Sequence, residues 1–78
     1  SNGDTADFDR HKICYLWSEV ASAYINHHTT RRFVDGDTLH VFIDSGPLKS
    51  ELAYMLPLFI EQLNKAVGKR IIKKISIH

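Results

Sequence analysis

Three groups of residues have the types and spacing to do chemistry. The first is basic: Arg31 and Arg32 are adjacent, and Lys69, Arg70, Lys73 and Lys74 crowd the carboxyl end. Cations gathered this way neutralise phosphates, each contact adding a modest, salt-sensitive share of affinity. The second is His40 and Phe42, two residues apart on a strictly alternating stretch. A strand puts both side chains on one face, where rings can stack on unpaired bases. The third is Tyr54 and Leu58, at i and i+4 on the outer side of a helix, an exposed apolar pair suited to docking a protein.

Other constellations carry less. His27, His28 and His40 invite a metal reading, but zinc asks for three or four converging ligands. Neighbouring histidines on a helix diverge by about 100° per residue, and neither a Cys pair nor a His-x-x-x-His accompanies them. Cations at a helix end, facing the negative end of its dipole, account for His27 and His28 better. His40, Asp44 and Ser45 spell the letters of a hydrolytic triad without a nucleophile elbow or an oxyanion loop. A strand residue followed by a helix cap explains them. Cys14 is the only cysteine, at the edge of an apolar stripe, so it packs and forms no intramolecular disulfide. No catalytic residue, metal or cofactor is expected.

The charge is unevenly spread. Residues 65–78 carry five Lys/Arg and no acid, +5, whereas residues 1–64 carry five Lys/Arg against nine Asp/Glu, −4. A basic end on a nearly neutral protein points to an anionic partner. With 78 residues, of which 44% are apolar, the chain makes one domain with a thin core. No apolar run reaches the roughly 18 residues of a membrane span, and no signal-peptide pattern opens the chain. With a lone cysteine, this suits a reducing, cytoplasmic setting.

The elements that must position these residues can be read from periodicity. Residues 1–9, opening on Ser1-Asn2-Gly3, are expected to be disordered or tag-derived, and residues 10–78 to form the folded domain. From Arg10 to His28 the spacing predicts a helix capped by Asp9, with Ile13, Leu16, Trp17, Val20 and Tyr24 in one stripe. Trp17 is its core anchor. Thr30–Val34 and Thr38–Asp44 read as strands joined by the turn Asp35-Gly36-Asp37, an antiparallel hairpin. In the second, Leu39, Val41 and Ile43 point one way and Thr38, His40, Phe42 and Asp44 the other. Ser45 caps the next helix, whose face carries Leu48, Leu52, Met55, Leu56, Phe59, Leu63 and Ala66 before Gly68 stops it. Pro57 falls in its middle, opposite that face. It either bends the helix around the core or divides it near residues 46–55 and 57–67. Arg70–Ile77 is the last strand; Lys73 breaks its alternation, which asks for a bulge or a late start.

This order, α-β-β-α(α)-β, is met by an α+β fold: a three-stranded mixed sheet with helices on one face. The other face, with Thr38, His40, Phe42, Lys74 and Ser76, stays open.

The order and spacing of several soft motifs resemble the DciA-like family. They are Trp17 then Val20 in the first helix, Thr29 near its end, Gly36 before Leu39-x-Val41, and Ser45 before Leu48-x-x-Glu51-Leu52. Leu63-Asn64, Gly68 and Ile75-x-Ile77 follow. The resemblance spans residues 13–78. It implies a bacterial domain similar to the KH fold, without enzymatic activity, acting with the replicative helicase at DNA and binding nucleic acid. A KH clamp uses a Gly-x-x-Gly loop, and this sequence has none. Contact with DNA, single-stranded or duplex, is therefore expected from Arg31, Arg32, Lys69, Arg70, Lys73 and Lys74, with His40 and Phe42 as stacking candidates. The competing expectation is a protein–protein interaction module in which Tyr54, Leu58 and the open face dock a partner and the cations only aid solubility.

Overall fold

The computed structural model describes residues 2–78, with side chains described from Asp7 onward. Helix α1 (Asn2–Val20) begins well before Arg10. Residues 2–9 are helical, and Ser1 lies outside the described residues. The run Thr5-Ala6-Asp7-Phe8-Asp9 holds neither Gly nor Pro, so nothing in it stops a helix. Asp7 accepts from Arg10 Nη1 at 2.9 Å, one turn on. Asp9 is consequently inside the helix rather than its cap, and it accepts from Lys69 Nζ at 3.1 Å.

The expected single first helix is two. Ser22 takes an extended conformation and its Oγ accepts from Ile25 N at 3.2 Å, capping α2 (Ala23–His27). Asn26 Nδ2 reaches back to the carbonyls of Ser18 (2.8 Å) and Ala21 (3.3 Å), which end α1. The break resets the helical phase. Ile25 is buried, and Tyr24, expected in the stripe, is 58% exposed. Trp17 is fully buried, edge-on to Phe59 at 5.2 Å between centroids, and donates to Thr29 Oγ1 at 3.3 Å.

Strands β1 (Thr29–Asp35) and β2 (Thr38–Ile43) form the expected hairpin, with Gly36 at φ 63° in the turn. The sheet order is β1-β2-β3, antiparallel then parallel. Leu39, Val41 and Ile43 are buried beneath the helices, as their alternation predicts.

Pro57 divides the central helix. Ser45 Oγ accepts from Leu48 N at 3.3 Å and caps α3 (Gly46–Ala53). Helix α4 (Leu56–Val67) then starts afresh with Pro57 in its first turn, where a missing N–H leaves no hydrogen bond unmade. Leu48, Leu52, Phe59 and Leu63 are buried together. Met55, expected on that face, falls in the break and is 37% exposed; Ala66, in the last turn of α4, is exposed too. Gly68, at φ 85°, ends α4.

The last strand starts late. Residues 70–73 carry no ladder, and β3 (Lys74–Ile77) pairs only from Lys74. Ile72 and Ile75 are both buried, with Lys73 and Lys74 both exposed between them, a spacing that regular alternation cannot give. The order α-α-β-β-α-α-β, with a three-stranded mixed sheet, is the α+β, KH-like arrangement. Among the described residues no helix is long and apolar enough to cross a membrane.

Candidate nucleic-acid interface

Register decides what the uncovered sheet face carries, because opposed residues share a face. Arg31 lies opposite Phe42, Phe33 opposite His40, and Asp35 opposite Thr38. On the other side of β2, Thr38 lies beside Lys74 and His40 beside Ser76. His78, just past β3, donates its N–H to Val41 O at 2.9 Å. Its ring joins the same face. Phe33 stacks on His40 at 4.8 Å between centroids, His40 on His78 at 5.2 Å, His78 on Phe42 at 4.6 Å, and Phe42 on Phe33 at 6.1 Å. His40 Nδ1 and His78 Nε2 are 2.9 Å apart, one donating and the other accepting. The Arg31 guanidinium lies over the rings of Phe33 and Phe42, 4.9 and 5.5 Å from their centroids.

The six sequence-predicted cations do not form one patch. Arg31 and Lys74 stand on the open face. Arg32 is opposite Val41, so it faces the helices, and lines a cleft with Arg10, His11 and Cys14. Lys69 is tied to Asp9. Arg70 and Lys73 line an open groove of about 760 Å³ between α4 and the segment leading into β3, with Pro57, Ile60, Glu61 and Asn64. The floor of that groove is fixed by Asn64. Its Oδ1 accepts from Ile71 N (3.0 Å) and Ile72 N (2.8 Å), and its Nδ2 donates to Ile72 O (2.7 Å). Since β3 is an edge strand, Arg70 and Lys73 flank one side of that edge and Lys74 the other.

Phe33 and His78 were missed as members of this face. Counting the hairpin back from Asp35-Gly36-Asp37 would have put Phe33 opposite His40. His78 follows Ser76 at the strand spacing of two, which puts its ring on the side of Lys74 and Ser76.

The sequence profile of the family described as Dna[CI] antecedent, DciA, matches residues 4–77. The chain belongs to the DciA family. That family has its role in DNA replication, in helicase loading, and is not a known enzyme family. No curated relative matches the chain.

The His28–Asp44 pair of this DciA domain serves the fold. His28 Nδ1 lies 2.6 Å from Asp44 Oδ1 and ties the end of α2 to the end of β2, while His27 meets His28 edge-on. Among the described residues no group of three or more His, Cys, Asp and Glu is placed to hold a metal ion. Burial pushes the Cys14 thiol pKa up, against the opposing charge of Arg32 and a backbone hydrogen bond at Val34. A thiol held protonated is a packing group and a poor nucleophile. Away from the sheet, the α3–α4 break leaves Tyr54 88% exposed and Leu58 51% exposed, with Met55 between them.

Proposed function

We propose that this domain is a non-enzymatic adaptor that binds DNA and assists loading of the replicative helicase in the bacterial cytoplasm. One observation carries the reading: Arg70, Lys73 and Lys74 flank a single sheet edge, and none has an ion-pair partner among the described residues. Unpaired cations on both sides of one edge of a nearly neutral domain complement a polyanion that wraps that edge, and their phosphate contacts release counterions. Arg31 extends the cationic set across the open face beside His40 and Phe42. Glu61, the acid in the groove, limits how deep a phosphate sits. The test is direct. Replacing Lys69, Arg70, Lys73 and Lys74 with Ala abolishes binding to labelled oligonucleotides at low salt; unchanged binding rejects the reading.

An adaptor also needs a protein surface, and the exposed apolar ridge of Tyr54, Met55 and Leu58 at the α3–α4 break supplies one. The exposure of Tyr54 equally favours a second reading, a protein-interaction module with no direct nucleic-acid contact. That reading requires no retention of oligonucleotide at about 50 mM salt, where phosphate contacts are strong. It also requires helicase capture that is lost in a Tyr54→Ala, Leu58→Ala double variant.

A further inference from the structure

We propose that the ring quartet on the open sheet face is a stacking site for unpaired bases, which makes the domain selective for single-stranded over duplex nucleic acid. The inference rests on the DNA-binding reading and names its substrate class. Phe33, His40, His78 and Phe42 close a circuit in which neighbouring planes tilt by 17°, 23°, 19° and 28°. The rings are thus nearly parallel, an arrangement that another flat ring can extend. None of the four is fully buried, and His78 is exposed. The core is built on the other side of the sheet, from Leu39, Val41, Ile43 and Ile75. Four rings on the outer side therefore contribute little to the core, and a solvated face has no need of them.

Charge on this face suits a strand of nucleic acid. Arg31 and Lys74 stand there against Asp35 alone from the ladder. The Arg31 guanidinium lies over two rings and, among the described residues, pairs with no carboxylate, so its N–H groups can take a phosphate beside a stacked base. The His40–His78 hydrogen bond holds the outermost imidazole in the array. A duplex hides base faces within its own stack and offers this surface only phosphates. An unpaired strand offers both, and base–aromatic stacking is indifferent to base identity.

The test measures fluorescence anisotropy of the whole chain with three probes: an oligo-dT strand, an abasic strand of equal length and a blunt duplex. Oligo-dT is expected to bind roughly five-fold or more tighter than the other two. Phe42→Leu, which keeps apolar volume without the ring, and His78→Ala, at an exposed site, each bring oligo-dT binding down toward the abasic level. Abasic binding stays unchanged, and circular dichroism confirms the fold. Equal affinity for the three probes, or ring variants that hold oligo-dT as well as the parent, overturns stacking and leaves the cationic interface standing. If the parent retains no probe at low salt, the DNA-binding reading falls and stacking falls with it.

Discussion

Asn64 holds both polar groups of Ile72: its Oδ1 accepts the Ile72 N–H at 2.8 Å and its Nδ2 donates to the Ile72 carbonyl at 2.7 Å. Through this clamp, one side chain on α4 fixes the unladdered segment that carries Arg70 and Lys73. Asn64→Ala strands the N–H and carbonyl of buried Ile72, while the Ile71 N–H keeps the Lys69 carbonyl at 3.1 Å. The expected cost is about 1–3 kcal/mol in urea unfolding. Because the cations lose their fixed spacing, oligonucleotide affinity at low salt falls as well. A variant as stable as the parent, with unchanged affinity, would show that the groove positions nothing.

Lys69 and Lys74 differ in what they can offer a phosphate. Lys74 stands on the open face, whereas Lys69 must leave Asp9, 3.1 Å away, before it can bind. Lys74→Ala should lower the slope of log affinity against log salt by about one, and Lys69→Ala by visibly less. Asp9→Asn should partly free Lys69 and raise affinity. A surface pair of this kind contributes roughly 1 kcal/mol or less, so stability should hardly move in any of the three. Equal slopes for the two lysine variants would remove the distinction.

Pro57 tests why the central helix breaks. In mid-helix it would cost about 3 kcal/mol, but in the first turn of α4 it costs almost nothing. Pro57→Ala is therefore expected to change stability by less than about 1 kcal/mol, because the ring is exposed and no hydrogen bond waits to be restored. A gain near 3 kcal/mol in thermal unfolding would mean that residues 46–67 want to be one helix that the proline disrupts.

Where local chemistry decides, the sequence could be read. Leu39, Val41 and Ile43 alternate without exception, Asp35-Gly36-Asp37 leaves one turn, and Gly68 stops a helix by its own φ. So β2, the hairpin and the end of α4 stand where expected. Partner-dependent features were hidden. The break at Ser22 depends on Ser22 capping α2 and on Asn26 reaching back eight and five residues to the carbonyls of Ser18 and Ala21, and the late start of β3 depends on Asn64. Both are side-chain-to-backbone bonds that hydrophobic periodicity cannot register. The candidate site divides the same way. His40 and Phe42 lie on one strand and could be paired by counting, but Phe33 and His78 come from its two neighbours and needed the register. Arg31 and Arg32 are adjacent, so a strand had to send them to opposite faces; only the ladder says which one joins the rings.

Cys14 gives a pH prediction with a definite sign. Its thiol sits half-buried between α1 and β1, and burial raises its pKa above the ordinary 9.0. The unfolded chain loses this proton near 9.0 and the folded chain only at higher pH. Below 9.0 both states keep it and stability is untouched; above 9.0 the unfolded state ionises first, so the folded state loses ground as pH climbs through its own value. Thiolate absorbance should therefore titrate above 9.0 in the native chain and return to it in urea. Arg32 is the cation opposing burial, so Arg32→Ala should push the native midpoint higher still and slow alkylation of Cys14 at a fixed pH. Comparing the parent with Cys14→Ala, whose stability lacks this one ionisation, isolates the effect from lysines and tyrosines that titrate nearby. Coincident native and unfolded midpoints would mean that the cleft beside Arg32 is as wet as open solvent.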